Sequence, residues 1–412
     1  MKAFEDREYI DKYKNSRPIV LISNSSNYLY HYRLLLIEKL LSQGHNVIAL
    51  SPIDSTASKL SKKCLHIPLG IKRINDSNPI SFYISIVKMF FILKVLKPKL
   101  VHSHTIKINF ITIIVSCIFE IPTIISFSGV GRLSNSSKLS KFIFSLVLKT
   151  INFLSKRFIY TKDKNYSKVR FIFQNKEDMQ NYISTTNSQN INICKLIEGS
   201  GVPSQYKNIS LKKMNFYPEN LNNEKCKFTL IYCARLLKQK GILEFIDLAR
   251  SYADHNYFIF GPIDKGSKDS ISEAELEKSI KEIPHLKYFG NIKDPLLNLK
   301  CKKPILLVPS VYSEGLPRGI LEAIVLNIPV ITNDFTAKKL SNKISKYIYV
   351  VNKSERKNYV NAIKKLIKDH ENGKLLIKLQ NGRKNILANY QEEAIVIRTL
   401  NLYKEILKND NY

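Results

Sequence analysis

Two glutamates, Glu314 and Glu322, stand eight positions apart where an apolar run, 305–308, passes into a helical pattern. Pro317 lies between them, and proline suits the first turn of a helix. The backbone N–H groups of such a turn, with the helix dipole, can bind an anion such as a diphosphate. A carboxylate can accept hydrogen bonds from two vicinal hydroxyls. The spacing thus suits a ligand with phosphate and hydroxyl groups, although two arbitrary glutamates more often flank a surface turn.

A second group of charges follows the strand pattern 228–232. Arg235 and Lys240 come directly after it and precede Gly241. Two cations at the carboxyl end of one strand can neutralise a diphosphate. In a chain this basic, an isolated Arg–Lys pair also arises by chance, but the spacing to Gly241 favours a functional interpretation.

These segments need elements that bring them to one edge of a sheet. Short β-branched runs alternate with longer helical patterns, which predicts parallel sheets covered on both faces. The predicted strands are 19–23, 47–50, 100–102, 123–127, 168–173, 228–232, 257–260, 286–289, 305–308 and 329–332, and the predicted C-terminal helices are 355–369 and 392–407. A polar stretch at 205–227 interrupts the alternation. We therefore expect two doubly wound α/β domains, 17–205 and 206–390, and a final segment, 391–412, whose helix crosses back to the first domain.

Composition restricts the class of protein and its partners. The 412 residues carry 65 basic and 34 acidic side chains, a formal net charge of +31. That excess favours anionic partners, although an AT-rich coding sequence would also enrich lysine. The six cysteines contain no CxxC pair, which argues against a zinc site or a disulfide framework. Residues 1–17 lack the apolar run of a secretory signal, and the apolar stretches 80–96 and 106–127 are interrupted, so we expect a cytoplasmic protein without a spanning helix.

The segment 309–323, with its Glu-Gly-Leu-Pro and Leu-Glu-Ala elements, resembles the signature of retaining glycosyltransferase family 4. The segment 233–241 resembles the phosphate-binding loop of that family, with Ala234 where glycine is usual. The resemblance implies the GT-B fold, in which two Rossmann-like doubly wound domains face each other across a cleft. It also implies that the C-terminal domain binds a UDP-sugar as donor substrate, without a further cofactor or a metal ion.

The same resemblance assigns roles to the charged residues. Glu314 would hold hydroxyls of the donor sugar, and Glu322 would hold the ribose of the nucleotide. The catalytic residues would be Glu314, Arg235 and Lys240, and the donor-binding residues would be Glu322, Gly315, Leu316, Pro317, Arg235 and Lys240. One departure concerns 333–339, where the family usually has a glycine-containing loop with an acidic residue.

Segments 100–107 and 126–131 resemble loops of transferases that act on undecaprenyl-diphosphate-linked saccharides, and 28–33 resembles a family Ser-His-Arg element. The acceptor-binding residues would be His31, Arg33, His104, Lys107, Gly129 and Gly131. The resemblance implies that a hexose or N-acetylhexosamine is transferred to a lipid-linked saccharide in cell-surface polysaccharide biosynthesis. His102 and His104 share a strand face, but with no third ligand in view they do not predict a metal site.

The region 131–170 has ten basic residues and one acidic residue. Its interleaved apolar side chains predict either a basic amphipathic helix on an anionic bilayer or a core helix with a solvated lysine face. The first alternative would attach the protein peripherally to the inner face of the cell membrane. Two other functions stay open, a UDP-sugar 2-epimerase of similar fold and a nucleic-acid-binding protein. The second lacks a recognisable reading element, so we expect no nucleic-acid partner.

Overall fold

The computed structural model describes residue 13 and residues 16–69, 79–129, 138–157, 168–188, 191–209 and 228–408. The chain divides into two compact units. The first runs to Ser200 and takes in the residues from Glu393 onward, and the second is Gly201–Glu392. In the described part of the chain, no helix is both long and apolar enough to span a membrane.

The first unit contains a parallel sheet of seven strands in the order β3-β2-β1-β4-β5-β6-β7. Its strands are β1 (Ile19–Ile22), β2 (Val47–Ser51), β3 (Leu65–Pro68), β4 (Leu100–His104), β5 (Thr123–Phe127), β6 (Val169–Phe173) and β7 (Cys194–Leu196). Its first seven described helices are α1 (Ser26–Tyr32), α2 (Leu34–Ser42), α3 (Ala57–Ser61), α4 (Pro79–Leu96), α5 (Ile106–Phe119), α6 (Lys138–Arg157) and α7 (Lys176–Thr186).

The second unit contains a parallel sheet of six strands in the order β10-β9-β8-β11-β12-β13. Its strands are β8 (Thr229–Cys233), β9 (Asn256–Phe260), β10 (Leu286–Tyr288), β11 (Pro304–Val308), β12 (Val330–Asn333) and β13 (Tyr349–Val351). Its α-helices are α8 (Ile242–Ser251), α9 (Glu273–Glu282), α10 (Arg318–Val325), α11 (Asp334–Ala337), α12 (Asn342–Ser345), α13 (Arg356–Glu371) and α14 (Lys374–Asn389). The last helix, α15 (Glu392–Leu407), belongs to the first unit from Glu393 onward. Single 3-10 turns lie at Ile191–Ile193, Ser204–Tyr206 and Lys238–Lys240.

Both sheets have their cores on two faces. Along β1, Ile19 and Leu21 enter one hydrophobic cluster, whereas Val20 and Ile22 enter another. Successive side chains of a strand point to opposite faces, so a sheet covered on both sides needs continuous apolar strands. The helix α15 contributes to the first of these clusters through residues that include Ile395 and Leu400.

The structure confirms two doubly wound α/β sheets and all ten predicted strands, each within two residues of its predicted ends. The sequence analysis missed the strands β3, β7 and β13 and the helix α14. The three missed strands have only three or four residues and lie at the edges of the sheets. So short a run carries little periodicity, and an edge strand is recognised through the neighbour with which it pairs.

Candidate active site

The sheet of the second unit brings two motif loops together. β8 and β11 are parallel neighbours, with Leu306 opposite Ile231. The strand order reverses between β8 and β11. From β8 the chain continues outward to β9 on one side, and from β11 it continues outward to β12 on the other side. Loops that leave the carboxyl ends of strands at such a switch point form the usual ligand crevice of an open α/β sheet. The loops 234–241 and 309–317 both begin at this edge.

Close backbone packing joins the two loops. The Val311 N–H donates to the carbonyl of Gln239 over 2.9 Å. Gly241 has a φ of +81°, and a Cβ at this position would lie 2.5 Å from the carbonyl oxygen of Pro309. Only glycine tolerates both the left-handed conformation and this approach. Gly241 therefore keeps Lys240 next to the loop that carries Glu314.

Lys240 and Glu314 form an ion pair between Nζ and Oε1. The Lys240 side chain is buried, and its Nζ lies 4.9 Å from the centroid of the Tyr312 ring. Burial, with a smaller contribution from the charge of Arg235, lowers the pKa of the Lys240 amine to about 7. The Glu314 carboxylate opposes that shift, because it stabilises the ammonium form. The structure thus holds a titratable cation at the position where the sequence predicts a phosphate site.

Arg235 is paired with a residue that the sequence analysis missed. Its Nη1 lies 2.9 Å from Oδ2 of Asp264, in the loop that follows β9. A Cβ on Gly261 would lie 1.9 Å from the carbonyl oxygen of Ala234, so this position also requires glycine. Gly261 directly follows the predicted strand 257–260, and a glycine at such a strand end is the feature of the sequence that could have predicted this close approach. Three neighbouring strand ends therefore contribute to the site.

Glu322 lies in α10 and is held by a residue one helical turn before it. Nε of Arg318 lies 2.7 Å from Oε1 of Glu322, and Tyr206 also hydrogen-bonds the Glu322 carboxylate. Burial raises the pKa of Glu322, while the Arg318 charge acts in the opposite direction. Pro317 is the residue that caps α10, and no side chain caps this helix end. Both predicted glutamates are thus ion-paired within the second unit.

The segment that departs from the family pattern supports the second motif loop. Asn333 caps the short helix α11 by accepting a hydrogen bond from the Thr336 N–H over 2.9 Å. The Asn333 amide and the Thr336 hydroxyl both donate to the carbonyl of Ser310, over 3.1 and 2.8 Å. Ser310 lies at the start of the loop 309–317. Asn333 and Thr336, which belong to the segment that departs from the family pattern, therefore hold this loop in place where it leaves β11.

In the first unit the structure brings together two of the predicted acceptor residues. Arg33 is buried, and its Nη2 donates to the hydroxyl of Tyr28 over 3.2 Å. The His104 ring, also buried, lies 5.2 Å from the Tyr28 ring between centroids. Burial, followed by the nearby His102 and the charge of Arg33, lowers the pKa of His104 well below its usual value. His104 is therefore a neutral imidazole at physiological pH.

The other predicted acceptor residues have different surroundings. His31 is exposed and packs edge-on against Tyr30 at 5.2 Å between ring centroids. Lys107 is exposed in the first turn of α5. Gly129 follows β5 with a φ of +106°, and Gly131 lies outside the described residues.

Comparison with protein families places this chain in a known class. The family model described as glycosyl transferases group 1 matches residues 213–384, and the model described as glycosyl transferase 4-like matches residues 18–157. The first match covers all six strands of the second sheet, and the second match covers β1 to β5 of the first sheet. The chain therefore belongs to the group 1, family 4-like glycosyltransferases, and its fold is GT-B. The epimerase and nucleic-acid-binding alternatives receive no support.

Two relatives are similar along most of the chain. The N,N'-diacetylbacillosaminyl-diphospho-undecaprenol alpha-1,3-N-acetylgalactosaminyltransferase of Campylobacter jejuni is 25% identical over 402 residues, which cover 95% of this chain and 99% of the relative. The capsular polysaccharide biosynthesis glycosyltransferase CapM of Staphylococcus aureus is 24% identical over 332 residues, which cover 79% of this chain and 81% of the relative.

Solved structures share the fold at lower identity. Sucrose-phosphate synthase from Thermosynechococcus elongatus superposes with a TM-score of 0.72 at 16% identity, covering 95% of this chain and 99% of that chain. Anabaena HepE in complex with UDP superposes with a TM-score of 0.70 at 15% identity, covering 94% of this chain and 100% of that chain.

Proposed function

We propose that this glycosyltransferase moves a hexose or N-acetylhexosamine from a UDP-sugar to an undecaprenyl-diphosphate-linked saccharide, with retention of configuration, in cell-surface polysaccharide biosynthesis. The observation that carries the donor assignment is the set of charges at the adjacent carboxyl ends of β8 and β11. UDP is bound in the Anabaena structure, which supports UDP as the nucleotide. The name of the Campylobacter relative contains undecaprenol diphosphate, which supports the lipid-linked acceptor.

The ion pairs suggest how the donor is held. The Lys240 ammonium and the Arg235 guanidinium would bind the diphosphate, which replaces Glu314 as the partner of Lys240. The released Glu314 carboxylate would then accept hydrogen bonds from hydroxyls of the donor sugar. Glu322, whose carboxylate is held by Arg318, would accept hydrogen bonds from the hydroxyls of the ribose. Gly315, Leu316 and Pro317 would form the turn that leads the backbone into α10, whose N-terminus favours an anion.

The transfer step needs no protein nucleophile under this proposal. The bond between the sugar C1 and the diphosphate oxygen breaks, and the acceptor hydroxyl oxygen bonds to C1 on the same face. The departing diphosphate oxygen takes the proton of that hydroxyl. Lys240 and Arg235 stabilise the charge that develops on the leaving group, so the protein contributes positioning and electrostatic stabilisation. In the first unit, the proposed acceptor residues are His31, Arg33, His104, Lys107, Gly129 and Gly131.

Because two protein cations and a helix terminus face the proposed diphosphate, we expect transfer to proceed without a divalent metal ion or other cofactor. The test incubates the purified enzyme in EDTA with a panel of UDP- and GDP-sugars and a synthetic undecaprenyl-diphosphate-linked N-acetylhexosamine. We expect a lipid-linked product from a UDP-sugar, with the donor's α configuration at the new linkage by NMR. Activity that disappears on chelation and returns with magnesium or manganese would contradict metal independence, and a β linkage would contradict retention.

We also propose that the first unit attaches the protein to the anionic inner face of the cell membrane. The outer face of α6 exposes Phe142 and Phe153, at 67% and 71%, next to exposed Lys141, Lys149 and Lys156. The opposite face of α6 supplies Leu148 and Ile151 to the core. The helix therefore has apolar side chains on its solvent side as well as in the core. Exposed aromatic residues among lysines suit the interface of an anionic bilayer.

Replacing Lys141, Lys149 and Lys156 together by glutamine is expected to release the protein from phosphatidylglycerol-containing vesicles at about 0.15 M salt. Each basic residue near an anionic surface contributes roughly 1 kcal/mol to membrane binding. The loss of all three is therefore enough to abolish a weak peripheral association. Vesicle sedimentation measures the bound fraction. The matched control replaces exposed Lys357, Lys364 and Lys368 of α13, which makes the same change in net charge. Equal loss in both triple variants would show that α6 does not form the docking surface.

A further inference from the structure

The C-terminal helix α15 places a tyrosine hydroxyl inside the first unit. Tyr403 is buried, and its hydroxyl oxygen lies 2.7 Å from Nδ1 of His102 on β4. The other ring nitrogen of His102, Nε2, lies 2.7 Å from the hydroxyl of Ser126 on β5. Because both nitrogens are hydrogen-bonded, the His102 ring is fixed in one orientation.

His104 has the opposite arrangement. It is buried as well, yet neither of its ring nitrogens has a hydrogen-bond partner in the described structure. Its ring packs against two others, with its centroid 4.2 Å from that of His102 and 5.2 Å from that of Tyr28. The fixed ring of His102 therefore sets the orientation of His104. Buried polar atoms without partners are rare, because each costs free energy that a bound ligand can recover.

Arg33 adds a positive charge to this cluster. Its guanidinium donates to the Tyr28 hydroxyl and to the Tyr32 carbonyl, over 3.2 and 2.8 Å. In the described part of the chain it bonds no carboxylate, and its buried Nε has no partner. The nearby His102 and His104 are neutral, because burial lowers their pKa values well below the usual range. A buried cation without a counter-charge is costly, and an oxyanion would supply the missing charge.

We propose that Tyr403 is a positioning residue for an oxyanion site formed by Arg33 and His104, so that the C-terminal helix completes acceptor binding in the first unit. Tyr403 does not touch the anion. It holds His102, and the ring of His102 holds the ring of His104. The inference rests on the proposed function, in which the oxyanion is the diphosphate of the lipid-linked acceptor.

The test replaces Tyr403 by phenylalanine, which removes the hydroxyl and keeps the ring. The matched control is Tyr182→Phe, since Tyr182 is an equally buried tyrosine of the same unit whose hydroxyl donates to Asn152 instead. With an undecaprenyl-diphosphate-linked N-acetylhexosamine as acceptor, we expect KM for the acceptor to rise on the order of tenfold in Tyr403→Phe, the effect of one hydrogen bond. The Kd for UDP should stay unchanged, and Tyr182→Phe should keep the wild-type KM.

Nitrogen-15 spectra of the histidine rings give a second readout that needs no turnover. In Tyr403→Phe, the resonances of both His102 and His104 should shift, whereas in Tyr182→Phe they should not. An unchanged acceptor KM with unchanged His104 resonances would overturn the positioning role. If the wild-type enzyme accepts no lipid-linked substrate, the proposed function fails, and the spectra alone decide the role of Tyr403: shifted His104 resonances support it and unshifted ones refute it.

Discussion

Replacing Glu314 by glutamine is expected to lower kcat by at least about a hundredfold, because a carboxylate that contacts the donor sugar in the transition state is lost. Glutamine has nearly the same shape, so the loops 234–241 and 309–317 should keep their backbone packing. The Kd for UDP should not increase, because UDP lacks the sugar that Glu314 is proposed to hold. Single-turnover transfer measures the chemical step, and calorimetry measures UDP binding.

A glutamate elsewhere in the second unit provides the control for this experiment. Glu282 forms an exposed ion pair with Arg250 over 3.2 Å, so Glu282→Gln makes the same chemical change at a surface pair. Exposed ion pairs contribute little to stability, and we expect wild-type transfer in this variant. If folded Glu314→Gln protein transferred sugar as fast as Glu282→Gln, Glu314 would not belong to the catalytic site.

Replacing Lys240 by methionine is expected to weaken UDP-sugar binding by about 10- to 100-fold, because a charge-assisted hydrogen bond to the diphosphate is lost. The wild-type enzyme should also show a pH dependence that the variant lacks. Burial lowers the pKa of Lys240, so its amine loses its charge at a lower pH than an exposed lysine does, although Glu314 opposes this shift. The bound diphosphate favours the ammonium form, and binding above the free pKa therefore requires proton uptake. The wild-type Kd should rise with pH, by up to about tenfold per pH unit.

A UDP-sugar is the correct probe here, because its diphosphate is a diester that does not titrate near neutral pH. The matched control is Lys238→Met, which removes an exposed lysine of the same turn. That variant should bind with the wild-type affinity and the wild-type pH profile. A Kd that is independent of pH in the wild-type enzyme, or equal in the two variants, would show that Lys240 does not bind the diphosphate.

The sequence was sufficient to predict the elements and the position of the motif loops. Buried parallel strands are continuous apolar runs, so 123–127 and 305–308 are recognisable from local pattern alone. A loop that follows such a strand must begin at the carboxyl edge of the sheet. For that reason the sequence alone predicts the edge at which Lys240 and Glu314 lie, although it does not show that β8 and β11 are neighbours.

Only the tertiary structure decided which charges meet. Lys240 pairs with Glu314 and Arg235 pairs with Asp264, and each pair joins loops that follow different strands. The order of the strands in the sheet differs from their order along the chain, so the sequence alone does not show that these loops are neighbours. The contact of Tyr403 with His102 spans 301 positions and arises because α15 packs back onto the first unit. Local periodicity in the sequence predicts which residues are buried. It does not predict the hydrogen-bond partner of a buried polar group, because that partner depends on which elements pack against each other.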